Sequence, residues 1–395
     1  MIHSKRAYFS LALSPFASQL GSAIYILGLN WLIVQVTGNT KLLGWIEGLG
    51  GFAFLLGDFL VGSLVDQHNR KTVLIGTDVV SGLACLIGSF LLNSQHPQVW
   101  LLILITAILN LMLAINFPAA KAIAPEIIPA QFLQRFNAIA NTLFNFANVF
   151  APLIGGSLLA IKSIDFNEFL IINACSYLAA ILLNGLIPYH YETKSNDQPN
   201  QSAFKSTLLG LQYIKEHPIL MINMLAMGIF NFCYAGFMLA APYVGHHFFG
   251  GQSNHYSLFL TIAALGGLLG GLWLTLQKRQ ITAKTIYREQ LFYGLILMIC
   301  GLFLSLPSWL LIALTFGIVQ ARFFGGITTF IQQETDLPYL GRIFGVTFLF
   351  FDGVQPLGDF IFGPFISTWH QWTYVILGSI ISLSFLLLLH LNRRV

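Results

Sequence analysis

Residues 62–71, Gly62-Ser-Leu-Val-Asp66-Gln-His-Asn-Arg70-Lys71, join two apolar runs that cover residues 43–65 and 72–94. Each run has the roughly 20 residues that a helix needs to cross a bilayer. A glycine at position 62 allows neighbouring helices to approach closely. Arg70 and Lys71 place two positive charges at the end of a run, which is typical of a cytosolic turn. The segment therefore predicts a short inner turn between two membrane helices.

The composition of the whole chain agrees with that interpretation. Of its 395 residues 56% are hydrophobic and 9% are charged, whereas a soluble domain carries about 25% charged residues. Lipid leaves the edges of an open sheet unpaired, so only helices or a closed barrel can span it. The apolar runs are long and nearly continuous, without the alternation of a barrel strand. The sequence predicts an all-α membrane protein.

Twelve apolar runs are long enough to be spans. They cover 7–36, 43–65, 72–94, 99–122, 137–161, 167–188, 218–244, 254–276, 290–306, 308–332, 342–367 and 371–391. With the N-terminus inside, sixteen Lys and Arg residues fall on the inner side, and Lys41 and Lys162 fall outside. This bias favours twelve spans with both termini in the cytosol. Pro307 alone separates the ninth and tenth runs.

The chain divides near its middle. Polar residues 189–202 predict a linker, and Phe204–His217 predicts an amphipathic helix on the inner membrane surface. We expect an N-terminal six-helix bundle at 1–188, a cytosolic linker with this helix at 189–217, and a second bundle at 218–395. Three features recur between the halves at offsets of 204 to 209 residues, such as Pro152 and Pro356. The repeat favours a duplicated unit of six helices, an architecture known in transporters.

The residues of the inner turn carry a family resemblance. Gly62, Asp66, Arg70 and Lys71, followed by Asp78, resemble the loop motif of the major facilitator superfamily. Span five has Pro152, Gly155 and Gly156, which look like the helix-packing signature of its exporter branches. Phe117–Pro129, followed by Arg135, Asn137 and Ala138, is similar to the branch that holds bacterial macrolide efflux proteins and the enterobactin exporter.

The resemblance implies a conformational latch formed by Gly62, Asp66, Arg70, Lys71 and Asp78. In the family the acid at position 66 faces the start of span eleven, here near Gly341, and Arg70 would pair with Asp78. The alternative is that Arg70 and Lys71 only anchor the inner side. The resemblance also implies a monomer in the bacterial cytoplasmic (inner) membrane.

Charged residues inside spans are rare and costly, so each is a functional candidate. The candidates for proton coupling are Glu47, Asp58, Asp352 and Asp359. Arg322 lies mid-span in span ten at a depth similar to Asp352, and the two are expected to pair. A carboxyl group in a cavity can exchange protons during a transport cycle. Static ion pairs, helix packing or solvation at the interface are the alternatives.

In this architecture spans one, four, seven and ten line a central cavity. Their polar side chains are Gln19, Ser22, Tyr25, Asn30, Asn110, Asn116, Asn223, Asn231, Tyr234, Gln320 and Arg322. A mostly neutral, aromatic cavity with one basic group favours an amphipathic or aromatic solute. Hydrogen bonds between helices explain any single asparagine equally well. No metal site or cofactor is expected, because the clustered His246, His247 and His255 are more typical of a surface.

The leading hypothesis is a secondary transporter that exports an amphipathic compound, such as a siderophore, a macrolide-like drug or a lysolipid, in exchange for protons. Its partners are then the solute, protons and the lipid bilayer, without nucleic acid. An importer of the same fold, proton-coupled or facilitative, is the alternative. A transport-dead sensor or an intramembrane enzyme is a third class, but the sequence lacks the H-E-x-x-H, G-x-S-x-G and Walker A motifs. No enzymatic activity is expected.

Overall fold

The computed structural model describes residues 2–93, 96–161, 164–189, 203–277, 281–336, 339–351 and 353–392, without the side chains of 59–67 and a few others. Helices account for the regular structure of these residues. They are α1 Ile2–Thr37, α2 Lys41–Gln67, α3 Arg70–Leu91, α4 Val99–Ile127, α5 Ala130–Leu159, α6 Phe166–Gly185, α7 Ala203–Glu216, α8 Pro218–Phe248, α9 Ser253–Leu276, α10 Ala283–Leu302, α11 Leu306–Glu334, α12 Leu340–Phe351, α13 Gln355–Trp369 and α14 Thr373–Leu391.

Nine helical stretches of the described chain are long and apolar enough to cross a membrane. The last of them, Arg342–Leu391, contains most of α12 and all of α13 and α14. These lengths confirm the predicted all-α membrane fold. The 14-residue α7 lies where the sequence predicts an amphipathic helix, and its length of roughly 21 Å is shorter than the ~30 Å core of a bilayer.

The eleventh predicted span, 342–367, is not one continuous helix. α12 ends at Phe351 and α13 begins at Gln355, with Gly353 between them. Pro356 lies in the first turn of α13, where its missing N–H leaves no hydrogen bond unmade. The apolar run hid this break, because hydropathy does not distinguish one long helix from two helices in line.

The ninth and tenth predicted spans also shift. α10 begins at Ala283 rather than at 290 and ends at Leu302, and α11 begins at Leu306. Ser305 is the N-cap of α11, and its hydroxyl accepts a hydrogen bond from Ser308 N at 3.4 Å. Pro307 therefore sits inside the first turn of α11, where proline is well tolerated, and the true separator is the segment around Ser305.

The described chain forms two compact units. The first contains Met1–Val36 and Leu49–Pro199, and the second contains Thr37–Gly48 and Asn200–Val395. The first two turns of α2 thus belong to the second unit. The predicted division into 1–188, 189–217 and 218–395 stays a prediction.

Inside the first unit α3 packs against α4 and α6. Inside the second, α9 packs against α11, α10 against α14, and α8 against α13. Glycines permit the closest of these approaches: a Cβ on Gly266 or Gly270 would collide with the backbone of Leu314 or Ile318 on α11. Small residues at helix contacts are typical of membrane proteins, because they bring backbones together without a hydrophobic driving force.

Candidate functional site

The basic residues of the inner turn have partners within the first unit. Arg70 forms an ion pair with Glu126 of α4 and donates a hydrogen bond to Ala122 O at 3.3 Å. Lys71 Nζ donates to Gly185 O at 2.8 Å and to Ile187 O at 2.7 Å, which ties the start of α3 to the end of α6. The side chains at positions 62 and 66 lie outside the described residues, so the role of Gly62 and Asp66 in a latch remains a prediction.

The expected pair between Arg70 and Asp78 does not form. The two residues lie eight positions apart on α3, which separates them by roughly 12 Å along the helix. Asp78 instead accepts hydrogen bonds from Asn116 Nδ2 of α4 at 3.1 Å and from Asn184 Nδ2 of α6 at 2.8 Å. Its side chain is 3% exposed. Asp78 therefore joins three helices through amide donors.

A cavity of about 240 Å³ opens beside Asp78, between α1, α3, α4, α5 and α6 of the first unit. Its lining includes three of the polar residues predicted to line a solute cavity, Gln19, Ser22 and Asn116. Gln19 Nε2 donates to Asn148 Oδ1 at 3.0 Å, whereas Asn116 Nδ2 donates to Thr77 Oγ1 at 2.7 Å as well as to Asp78. Most of the remaining wall is apolar.

Other predicted cavity residues of the first unit have local partners. The hydroxyl of Tyr25 shares a hydrogen bond of 3.2 Å with Thr106 Oγ1, and Asn110 Nδ2 donates to Thr106 O at 3.1 Å. Asn30 is buried, and its Oδ1 has no hydrogen-bond partner among the described residues. Of these three residues only Tyr25 bonds to another helix, because the bond of Asn110 lies within α4, and their role at a solute cavity stays a prediction.

Two further predictions concern the first unit. Asp58 is exposed on α2. In α5, Gly155 lies against α1, because a Cβ there would meet Leu27 Cδ2 at 3.2 Å. Pro152 is buried in α5, and Gly156 O accepts a hydrogen bond from Ala160 N at 3.1 Å. The span-five signature thus lies where two helices approach.

In the second unit Arg322 has a partner that the sequence did not predict. Its Nη2 and Nε donate to Glu289 Oε1 and Oε2 of α10 at 2.6 and 3.0 Å, a bidentate pair. Gln277 Oε1 accepts two more hydrogen bonds at 3.3 Å, and the guanidinium lies 4.1 Å from the centre of the Trp273 ring. The predicted partner, Asp352, lies outside the described residues. Because Glu289 neutralises it, Arg322 is not a free basic group for a solute.

The asparagines of α8 are also satisfied inside the second unit. Asn223 Nδ2 donates to Ile219 O at 2.8 Å, and its Oδ1 accepts from Tyr287 at 2.8 Å. Asn231 Nδ2 donates to Met227 O at 3.0 Å. Tyr234 lies within hydrogen-bonding reach of Gln320 and stacks on Phe316 with 5.7 Å between ring centres. α8 and α11 thus share an aromatic interface with few polar groups.

Glu47 and Asp359 lie together in the second unit. Their carboxyl groups are close enough for their negative charges to repel each other. Both groups also interact electrostatically with the hydroxyl of Tyr234. Asp359 is 4% exposed, and Glu47 Oε1 is buried with no hydrogen-bond partner among the described atoms. No Lys or Arg of the described chain forms an ion pair with either residue. This is a pair of buried carboxyl groups without a compensating cation.

The contact that holds the pair is tight. A Cβ on Gly44 would collide with Asp359 O and lie 2.8 Å from Gly363 Cα. The hydroxyl of Thr40 donates to Gly363 O at 2.6 Å. Trp45 packs edge-on against Phe360, with 5.2 Å between ring centres. The first two turns of α2 are therefore fixed against α13 by backbone approach rather than by charge.

Three residues at these sites were not predicted from the sequence: Glu126, Asn184 and Glu289. Glu126 lies inside the stretch Phe117–Pro129 that carries the resemblance, and Glu289 is an acid beside Arg288 at the start of α10. Charge complementarity was a signal for both. Asn184 gave no signal, because only the packing of α6 on α3 brings it to Asp78.

The comparisons with known proteins agree with this architecture. A family model described as Major Facilitator Superfamily matches residues 11–358. Macrolide efflux protein A of Streptococcus pyogenes is 23% identical over 365 residues, which cover 90% of this chain and 88% of that protein. Enterobactin exporter EntS of Shigella boydii is 24% identical over 366 residues, 88% of this chain and 82% of that one. These relatives confirm the resemblance.

Solved structures share the fold at lower identity. The nucleoside transporter NupG superposes with a TM-score of 0.79 at 12% identity, over 98% of this chain and 99% of that chain. At this identity the likeness shows the fold alone.

Proposed function

This chain belongs to the major facilitator superfamily, and from that premise we propose that it exports an amphipathic small molecule from a bacterial cytosol in exchange for protons. It is a multi-pass membrane transporter related to efflux proteins. Siderophores, macrolide-like drugs and lysolipids are the solute classes to examine first. We also propose that the protein works by alternating access. It is a monomer in the cytoplasmic membrane, with both termini in the cytosol.

The observation that carries proton coupling is the carboxyl pair Glu47–Asp359. Two like charges in a buried site repel each other, so binding a proton to one of them relieves the repulsion. With the N-terminus inside, Glu47 lies about 9 Å along α2 from its outer end, and Asp359 about 15 Å from the end of α13. A proton that reaches this pair from outside would stabilise the contact between the two helices, and its loss would weaken that contact.

The alternative roles of the two carboxyls predict different behaviour. A static pair would need a cation or a full set of hydrogen-bond donors to offset its burial. Glu47 Oε1 has no described donor, which favours an exchangeable proton over a fixed structural role. Asp58 is exposed and belongs to the first unit, so we rank it below Glu47 and Asp359 as a coupling residue.

The test is proton flux in liposomes that contain the purified protein and a pH-sensitive dye. A panel of a siderophore, a macrolide and a lysolipid is applied to the wild type, Glu47→Gln, Asp359→Asn and the control Glu216→Gln, which changes an exposed acid at the end of α7. We expect solute-driven proton flux to fall to background in the first two variants and to persist in the control. Solute exchange without net transport should survive in all of them.

Persistence of full solute-driven proton flux in both Glu47→Gln and Asp359→Asn would contradict the assignment of these residues to proton coupling.

The direction of transport is tested in cells. A deletion that raises the internal concentration of the solute supports export, whereas one that abolishes its uptake supports the importer alternative.

A further inference from the structure

The cavity of the first unit contains a buried carboxyl group that no cation of the described residues compensates. Asp78 lines the cavity and is 3% exposed. Each of its oxygens accepts one hydrogen bond from an amide, Asn116 or Asn184. Neutral donors satisfy part of the hydrogen-bonding capacity of a carboxylate but none of its charge. No Lys or Arg of the described residues forms an ion pair with it.

A polar track leads along one wall of the cavity to this carboxyl group. Ser22 on α1 shares a hydrogen bond of 3.0 Å with the hydroxyl of Tyr177 on α6. The hydroxyl of Tyr177 lies within hydrogen-bonding reach of Ser81, which is one turn along α3 from Asp78. The same hydroxyl interacts electrostatically with Asp78. All four side chains line the cavity. The track offers hydroxyl groups that can accept from a donor bound beside Asp78.

Another part of the lining is apolar. It consists of Met112, Leu113 and Phe117 of α4 with Phe136 and Phe144 of α5, and the ring centres of Phe117 and Phe144 are 6.5 Å apart. The volume of about 240 Å³ equals roughly eight water molecules at ~30 Å³ each. That space fits a small aryl or alkyl group together with one polar head.

The rim adds a restriction. Lys121 lines the opening, where its Nζ donates to Asn141 Oδ1 at 3.4 Å and lies 5.5 Å from the centre of the Phe117 ring. Its positive charge repels a second cationic group on a ligand that has one cation inside. The cavity therefore combines a buried carboxyl group, an apolar wall and an exposed lysine.

We propose that this cavity, which lies within one unit, binds a small amphipathic monocation whose protonated amine pairs with Asp78. A protonated amine supplies the missing charge and donates charge-assisted hydrogen bonds, while its apolar part covers the α4 and α5 wall. That the bound amine is itself exported rests on the proposed function. Binding alone does not.

The experiment measures equilibrium binding to the full-length protein in lipid nanodiscs. The probe is a tritiated N,N-dimethyl phenylalkylamine, and the competitors are its neutral isostere with carbon in place of nitrogen and the carboxylate of the same length. We expect saturable binding that the unlabelled amine displaces and the two other compounds do not. Equal displacement by the neutral isostere, or no saturable binding, would overturn the proposal.

Variants locate the site. Asp78→Asn removes the charge at nearly constant size and should weaken binding roughly tenfold or more, since it deletes a charged hydrogen bond. Ala140→Phe places a ring in the cavity and should abolish binding. The matched controls are Asp165→Asn at the exposed N-cap of α6 and Ala160→Phe at the end of α5, and both should bind as the wild type does.

The outcomes separate the two proposals. Unchanged binding in well-folded Asp78→Asn and Ala140→Phe contradicts this site, whatever the protein transports. If Asp78→Asn fails to fold, the competition series on the wild type and Ala140→Phe still decide. Amine binding with the predicted selectivity, but without proton-coupled flux of any solute, leaves the site intact and contradicts the proposed function.

Discussion

Arg322 shows how a buried charge is made tolerable inside a membrane protein. Its side chain is 2% exposed, and Glu289, Gln277 and Trp273 surround the guanidinium. The bidentate geometry matches the planar fork of arginine to a carboxylate, which lysine could not reproduce. The sequence predicted an acidic partner for Arg322 but named Asp352, which lies outside the described residues, and it did not predict Glu289. The partner depends on which helix packs beside α11, and this is not a local property.

Removing one member of the Arg322–Glu289 pair should cost more than removing both. Arg322→Met leaves Glu289 without its cation, and we expect a loss of at least about 2 kcal/mol, below the full range for buried pairs because Glu289 is 22% exposed. Replacing both with Met removes the stranded charge and should recover most of that loss. Thermal unfolding in detergent measures all three variants. A double variant less stable than each single one would contradict the account.

At the scale of elements, sequence predicted which segments are helices better than where they stop. Long apolar runs indicated α1, α3, α4 and α8 because each contains enough hydrophobic residues to span lipid. The break between α12 and α13 was not predicted, because it depends on Gly353 and Pro356 within an apolar run. The contact of α2 with α13 was not predicted either. The hydropathy of a glycine does not show whether it faces another helix or lipid.

The close approach of α2 and α13 makes a specific prediction at Gly44. Gly44→Ala forces a methyl group against Asp359 O and Gly363 Cα, and we expect it to destabilise the protein by about 1–3 kcal/mol through overpacking. Gly76→Ala is the matched control, because nothing lies within 4 Å of its Cβ position. On helix propensity alone it should stabilise by roughly 0.5–1 kcal/mol. A melting temperature of Gly44→Ala that rises as that of the control does would contradict backbone contact between α2 and α13.

At the scale of the whole molecule, the question is how many times the chain crosses the membrane. α7 decides the count in the middle of the sequence, because it is helical but only 14 residues long. It docks within the second unit: a Cβ on Gly210 would lie 2.8 Å from Arg342 O, and Tyr213 donates to Asp336 Oδ2 at 3.0 Å. A helix held in this way beside the start of α12 fits the inner membrane surface better than a crossing.

Labelling from outside the cell tests that count. Between His68 and Gln252 lie α3, α4, α5, α6 and α8, so five crossings put the two positions on opposite sides, whereas a crossing by α7 would put them on the same side. In a Cys175→Ser background, which removes the one exposed native thiol of the described chain, we introduce His68→Cys or Gln252→Cys. A membrane-impermeant maleimide should label the Gln252→Cys variant in intact cells and the His68→Cys variant only after permeabilisation. Labelling of both variants in intact cells would mean an even number of crossings between the two positions. It would also contradict the predicted orientation, which places sixteen basic residues on the inner side.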